Sequence, residues 1–277
     1  MIRFLVDTSS DYTVAEVKEK GMELVPLHIT LGEADYKDAY DLTKDAFYEL
    51  LTTSEEFPKT SQPTPQDFVD VFEEAQEKGD ELICILLSSK LSGTYQSATL
   101  AKNIVEYDNI HLVDSLGATH MIRLMTDHAQ ELAAAGKGAK EIVAKLEEMK
   151  SKIKVLAVVD TLEYLCKGGR VSKATAAIGE VAKVKPMITV SEGEVAVIGK
   201  SLGKNKAIGN LLKALEECEV DDRFPIYSVC SVGTENCEVF EKRLTDAGYT
   251  FKERLQLGAT IGTHVGPGVF GMIFVTK

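Results

Sequence analysis

Tryptophan is absent from the 277-residue chain, and its five cysteines form no C-x-x-C pair. Zinc ribbons and thioredoxin-type redox centres require such pairs, so neither is expected. An odd cysteine count without a secretion signal fits reduced thiols in a cytoplasm. Cys84 and Cys230 lie within apolar strand patterns and are expected to be core residues. The amino terminus, Met1 to Asp7, is a short strand pattern that meets an acid at once and lacks the apolar run of a signal peptide. No stretch approaches the length needed to cross a bilayer. Basic residues are outnumbered, 31 Lys and Arg against 43 Asp and Glu, for a net charge of −12. An acidic surface of this kind repels nucleic acid and anionic membranes, so no nucleic-acid partner is expected. No GxxxxGK[ST] element is present. Gly266, Gly268 and Gly271 match the dinucleotide fingerprint in letters only, because too little chain follows for a strand, turn and helix. His28, His111, His120 and His128 lack metal-ligand spacing, so neither a metal nor a cofactor is expected.

What the chain does have is apolar volume. Hydrophobic residues make up 44% of it, enough for two cores, and strand and helix patterns alternate along it. The central stretch is Leu82 to Leu87, an apolar run that stops at Ser88-Ser89 and leads through Lys90 and Leu91 into Ser92-Gly93-Thr94. It reads as a buried strand, a short loop and a helix, with Ser92 as N-cap. The open N–H groups of such a helix end either stay merely capped or cradle a carboxylate or phosphate.

Two other expected strands also end in acids and hydroxyls, at Asp7-Thr8-Ser9 and at Asp114-Ser115. In a parallel sheet these ends share one edge, where ligands of α/β proteins bind. A strand over Met22 to Leu31 is broken by Pro26 and is placed at an edge. Helical spacing runs over Asp41 to Leu51, and prolines 63 and 65 argue against regular structure from Lys59 to Pro65, with Pro65 in the first turn of the next helix. Further helices are expected over Leu116 to Ala135 and Ala139 to Lys150. The second half supplies a strand at Val155 to Val159, a short helix from Leu162 into Lys167-Gly168-Gly169-Arg170, and a helix starting at Val171-Ser172. A hairpin follows around Ser191 to Glu194, then helix–strand–helix–strand patterns as far as Leu257. His264 falls in a glycine-rich stretch, Ile261 to Gly268, expected to be a loop. Such a histidine can reach a ligand or simply lie on the surface. The paired glycines before Arg170 either let amides approach an anion beside the guanidinium or end a helix.

Taken in order, Asp7-Thr8-Ser9-Ser10-Asp11, Thr60-Ser61-Gln62-Pro63, Ser88 to Tyr95, Asp114-Ser115, Tyr164 to Ser172 and Ile261 to Gly268 resemble the DegV family across essentially the whole chain. Those are fatty-acid-binding proteins of bacterial lipid metabolism. The resemblance implies an α/β protein of two lobes, a parallel-sheet lobe over residues 1–153 and a lobe with a mixed or antiparallel sheet over 154–277. One long-chain fatty acid is expected, its acyl chain buried and its carboxylate near the lobe junction. The carboxylate role falls on Thr60, Ser61, Ser92, Gly93 and Thr94, and the family's functional arginine and histidine fall on Arg170 and His264. The resemblance also implies a carrier rather than an enzyme, with no catalytic residue of its own. It presents the acid to a separate ATP-dependent fatty acid kinase, in the cytoplasm. Two departures stand out: Leu202 occupies the arginine position of the family's K-x-R-G segment, and Thr119 to Arg123 are bulkier than the small, glycine-rich run usual there. The competing readings are a serine esterase or acyltransferase using Ser92 and His264, although the GxSxG elbow is missing, and a carrier of another anionic lipid without a kinase.

Overall fold

The computed structural model describes residues 1–172, 184–233 and 235–277. The helix expected from Val171-Ser172 lies outside the described residues beyond position 172. The chain divides into two compact units.

The first unit comprises Met1–Thr43, Thr60–Ser151 and Glu192–Glu194. Its sheet has the order β2-β1-β6-β7, with β1 at Ile2–Asp7, β2 at Glu23–Val25, β6 at Glu81–Leu86 and β7 at Ile110–Asp114. Every pairing is parallel. The apolar run Leu82 to Leu86 is buried on both faces, as a central parallel strand must be. Helices Pro65–Lys78 and Thr94–Val105 cover one face, packing Phe68, Phe72, Ala98 and Ala101 on Leu5, Leu82, Cys84 and Leu86. Helices His120–Ala134 and Ala139–Met149 pack on strands of the same sheet. Pro26 ends β2, which is the edge strand, and the chain resumes as β3 at His28–Leu31. A second sheet, β4-β3-β5, was not anticipated: Ala34–Lys37 forms β4 and Lys59–Ser61 forms β5. The expectation of no regular structure from Lys59 to Pro65 therefore holds only beyond Ser61, because proline removes backbone donors at 63 and 65 and not before. Thr64 caps the next helix through a reciprocal box with Asp67, and Pro65 fills its first position.

The second unit comprises Lys44–Lys59, Lys152–Ser191 and Val195–Lys277. Its six-stranded sheet has the order β10-β9-β8-β13-β11-β12. The strands are Ile153–Val158 (β8), Val184–Ser191 (β9), Glu194–Leu202 (β10), Ile226–Cys230 (β11), Phe251–Gln256 (β12) and Phe270–Val275 (β13). β8 pairs antiparallel with β9 and β13, β13 antiparallel with β11, and β11 parallel with β12, so the sheet is mixed. Glu192 and Gly193, both at positive φ, link β9 to β10 as the two-residue turn that a hairpin requires. Ile208, Leu211 and Leu215 from Lys204–Glu216 and Phe240 and Leu244 from Glu235–Asp246 pack with Leu156, Phe270, Met272 and Phe274. Each side chain of this size contributes about 1.5–3 kcal/mol when buried. Helix Lys44–Thr53 is held here by Lys44, whose Nζ donates to the Gln256 carbonyl at 2.8 Å, and by Gln256, whose Nε2 donates to Asp45 at 3.1 Å.

Candidate functional site

In the first unit the strand order reverses between β1 and β6, so the crevice outside their carboxyl ends is the natural ligand position of the sheet. Asp7, at the end of β1, crosses it. The carboxylate accepts from the Leu87 N–H at 2.8 Å, just past β6, and from the N–H of Ser9 at 2.9 Å and the Ser9 hydroxyl. Asp7 is fully buried, and burial raises its pKa to about 6 despite these donors, with the Asp38 carboxylate adding to the rise. The neighbouring hydroxyls are also engaged internally. Thr8 Oγ1 accepts from the Leu27 N–H at 3.0 Å, Ser88 donates to the Gly193 carbonyl at 2.8 Å and Ser115 to the Gly117 carbonyl at 3.2 Å. Asp114 accepts from the N–H groups of Ser89 and Leu116, each at 3.1 Å. These strand-end groups, which looked like ligand donors in the sequence, build the loops that carry the next cluster.

That cluster lies one loop further out. Helix Thr94–Val105 begins on Gly93, not on Ser92, and has no side-chain cap. Ser92 corrects the sequence expectation in an instructive way. Its Oγ accepts from the Thr94 N–H at 3.3 Å and lies 2.9 Å from the Thr94 hydroxyl, a local turn that leaves the next N–H groups of the first helical turn uncapped. Ser92 and Gly93 are partly buried and Thr94 is buried, while Thr60 is partly buried and Ser61 exposed on β5. The two stretches approach each other: a Cβ built on Gly93 would fall 2.5 Å from Nε2 of Gln62. Gln62 was not singled out as a functional residue, since its polarity alone does not tell a solvated side chain from a seated one.

In the second unit, Glu163–Lys167 is a short helix followed by Gly168, Gly169 and Arg170. Gly169 takes a positive φ, and the Arg170 N–H returns to the Leu165 carbonyl at 2.8 Å. Nη1 of Arg170 donates to the Gly168 carbonyl at 2.5 Å. Lys167 is occupied, paired with Glu163 at 2.7 Å and stacked 4.2 Å over the Phe57 ring. His264 is not in a loop. Ala259–Val265 is a helix, and Gly262 sits inside it because a Cβ there would fall 2.6 Å from the Phe47 ring and 2.7 Å from the Tyr48 hydroxyl. The glycine reflects close packing, not a break. His264 occupies the last turn, with its ring against Gly168, so that a Cβ on Gly168 would overlap Nδ1 and lie 2.9 Å from Cε1. Gly168 is therefore small to admit the imidazole, and not to expose its own amide. Burial pulls the Arg170 guanidinium below its ordinary range. Burial, reinforced by the Arg170 charge, lowers His264 to about 4, so the imidazole is neutral at pH 7.

Among the described residues no group of three His, Cys, Asp or Glu could hold a metal ion, and no helix is long and apolar enough to cross a membrane.

A parallel sheet with hydroxyls collected past its strand ends, and a mixed-sheet unit in which partly buried Arg170 and His264 meet at Gly168, define a two-unit α/β protein. The family model described as "Uncharacterised protein, DegV family" matches residues 1–277, and the chain belongs to the DegV family. A DegV domain-containing protein of Caldanaerobacter subterraneus subsp. tengcongensis is 34% identical over 280 residues, covering 100% of this chain and 99% of the relative. Among solved structures, a DegV family protein from Thermus thermophilus described as binding fatty acid superposes with a TM-score of 0.89. It is 31% identical and the match covers 100% of this chain and 99% of that one. DegV of Bacillus subtilis, described as a fatty acid binding protein, gives 0.85 at 30% identity over the same shares.

Proposed function

We propose that this protein binds one long-chain fatty acid and presents it, in the cytoplasm, to a separate ATP-dependent kinase that forms the acyl phosphate. The carboxylate is received by the hydroxyls of Thr60, Ser61, Ser92 and Thr94 with the backbone at Gly93, and Arg170 and His264 are assigned to the head group. The observation that carries this reading is the approach of the Thr60–Gln62 stretch to Gly93 at the uncapped start of a twelve-residue helix. Helix N–H groups and hydroxyls orient a carboxylate without a counter-charge. Fatty-acid binding by the Thermus thermophilus and Bacillus subtilis proteins, aligned over their full length with this chain, supports the ligand class.

Affinity for such a ligand resides in its tail. At about 0.8 kcal/mol per buried methylene, ~14 methylenes represent roughly 11 kcal/mol before the costs of association. Hydroxyls then need only orient the head group, which suits a carrier.

The test is mass spectrometry of lipid extracted from the purified protein, alongside its mass under native conditions. One fatty acid per chain is the expected result. Protein that arrives empty and takes up no added fatty acid overturns the reading, and hydrolysis of a chromogenic acyl ester that is lost in Ser92→Ala would replace it with the esterase.

A further inference from the structure

Gly93 has φ −76° and ψ 6°, a backbone conformation open to any residue. Its lack of a side chain therefore answers a demand for space. That space is filled by Gln62: a Cβ on Gly93 would fall 2.5 Å from Nε2, 2.6 Å from Cδ and 2.7 Å from Oε1. The whole carboxamide lies across the α-carbon at the mouth of the helix. Its approach is fixed from both sides of the chain. Upstream, Lys59–Ser61 is strand β5, and downstream Pro63 is buried and Thr64 is locked in its capping box. Yet Gln62 is an exposed residue, so the helix mouth where its carboxamide rests is not sealed beneath the core.

A carboxamide carries two N–H donors and no charge, so it can bind a carboxylate where a second anion would repel it. We propose that Gln62 is a further ligand-contacting residue of the head-group seat, donating from Nε2 to the fatty-acid carboxylate beside Ser92 and Thr94. Gly93 is then the gap that lets the carboxamide lie at the helix mouth. This inference rests on the fatty-acid reading above and deepens it. A spacer role would be served by any side chain of the same shape. Glutamate has that shape but offers only acceptors and a negative charge, so it separates the two roles.

The experiment titrates wild type, Gln62→Glu, Gln62→Ala and Gly93→Ala with palmitic acid and, in parallel, with hexadecanol, following heat release and checking each variant by thermal melting. Gln62→Glu is expected to weaken palmitic acid binding about tenfold or more while leaving hexadecanol within about twofold of wild type. Gly93→Ala pushes the carboxamide aside and should reproduce Gln62→Ala, so the double variant should bind palmitic acid no more weakly than Gly93→Ala alone. Gln62→Glu that retains wild-type affinity for the acid, or that loses acid and alcohol equally, overturns the assignment. Wild type that binds neither molecule defeats the fatty-acid reading itself, an outcome visible in the first titration.

Discussion

Arg170 and His264 meet on a single residue: the Arg170 guanidinium donates to the Gly168 carbonyl at 2.5 Å, and the His264 ring rests against the Gly168 α-carbon. One glycine thus sets the separation of the two groups, and the charge of one lowers the basicity of the other.

The His264 imidazole should titrate near pH 4 by NMR, and Arg170→Ala should move the midpoint upward by removing the repelling charge. Because an unfolded histidine titrates near 6.5, the unfolded chain binds the extra proton first as pH falls from about 6.5 to 4. Stability from this residue is therefore complete above that window and lost through it. His264→Gln should flatten the corresponding part of a denaturation-versus-pH curve, and an unchanged slope would contradict the burial described.

Gly168→Ala should expel the imidazole, since the methyl group and Nδ1 claim one space. The expected signs are a His264 midpoint displaced toward 6.5 and a loss of about 1–3 kcal/mol in urea denaturation. A variant with native stability and a midpoint still near 4 would show that the ring does not depend on this cradle.

Asp7 has the opposite pH sign. Its pKa, about 6 in the folded chain, lies above the unfolded value near 3.9, so the folded chain holds the proton longer. Its contribution is complete below about pH 4 and lost as pH rises through 6. Asp7→Asn removes that dependence and leaves a single acceptor oxygen for the Leu87 and Ser9 N–H groups, which the carboxylate now accepts at 2.8 and 2.9 Å. The slope of stability against pH between about 4 and 6 should therefore flatten in the variant, measured by denaturant titration across that range, and an unchanged slope would contradict the burial of Asp7.

Ser92→Ala and Thr60→Ala should each weaken fatty-acid binding by about 1–3 kcal/mol, the cost of losing a hydrogen bond to a charged group. Calorimetry with both variants checks this, and wild-type affinity in the two together would remove the hydroxyl cluster from the site.

The parts of the fold visible in the sequence were those written in local patterns. Leu82 to Leu87 announced a buried central strand because no polar residue interrupts it, and Ser191 to Glu194 announced a hairpin because two strand patterns flank it, with the turn itself at Glu192 and Gly193, both at φ > 0. Pro65 marked the first turn of a helix, because its fixed φ suits that position and its missing N–H is not needed there. The errors came where distant packing overrides local preference. Gly262 looks like a helix breaker until Phe47 and Tyr48 are seen against it, and β4 is a short polar edge strand with little apolar pattern to detect. Ser92 has the right chemistry for an N-cap but sits one residue too early. Of the site, the residue types were legible and the contacts were not. Neither Gln62 on Gly93 nor His264 on Gly168 leaves any periodic trace, because each joins positions far apart in the chain.

The bond from Asp7 to Leu87 has a consequence for where any ligand can lie. It fastens β1 to the loop after β6 at the one place where a parallel sheet of this order opens. A molecule arriving at that edge finds a seam already sewn. In the proposed function the ligand is received by the loop from Ser88 to Gly93, anchored on that seam, and the sheet beneath then serves as the footing of the site, not its floor.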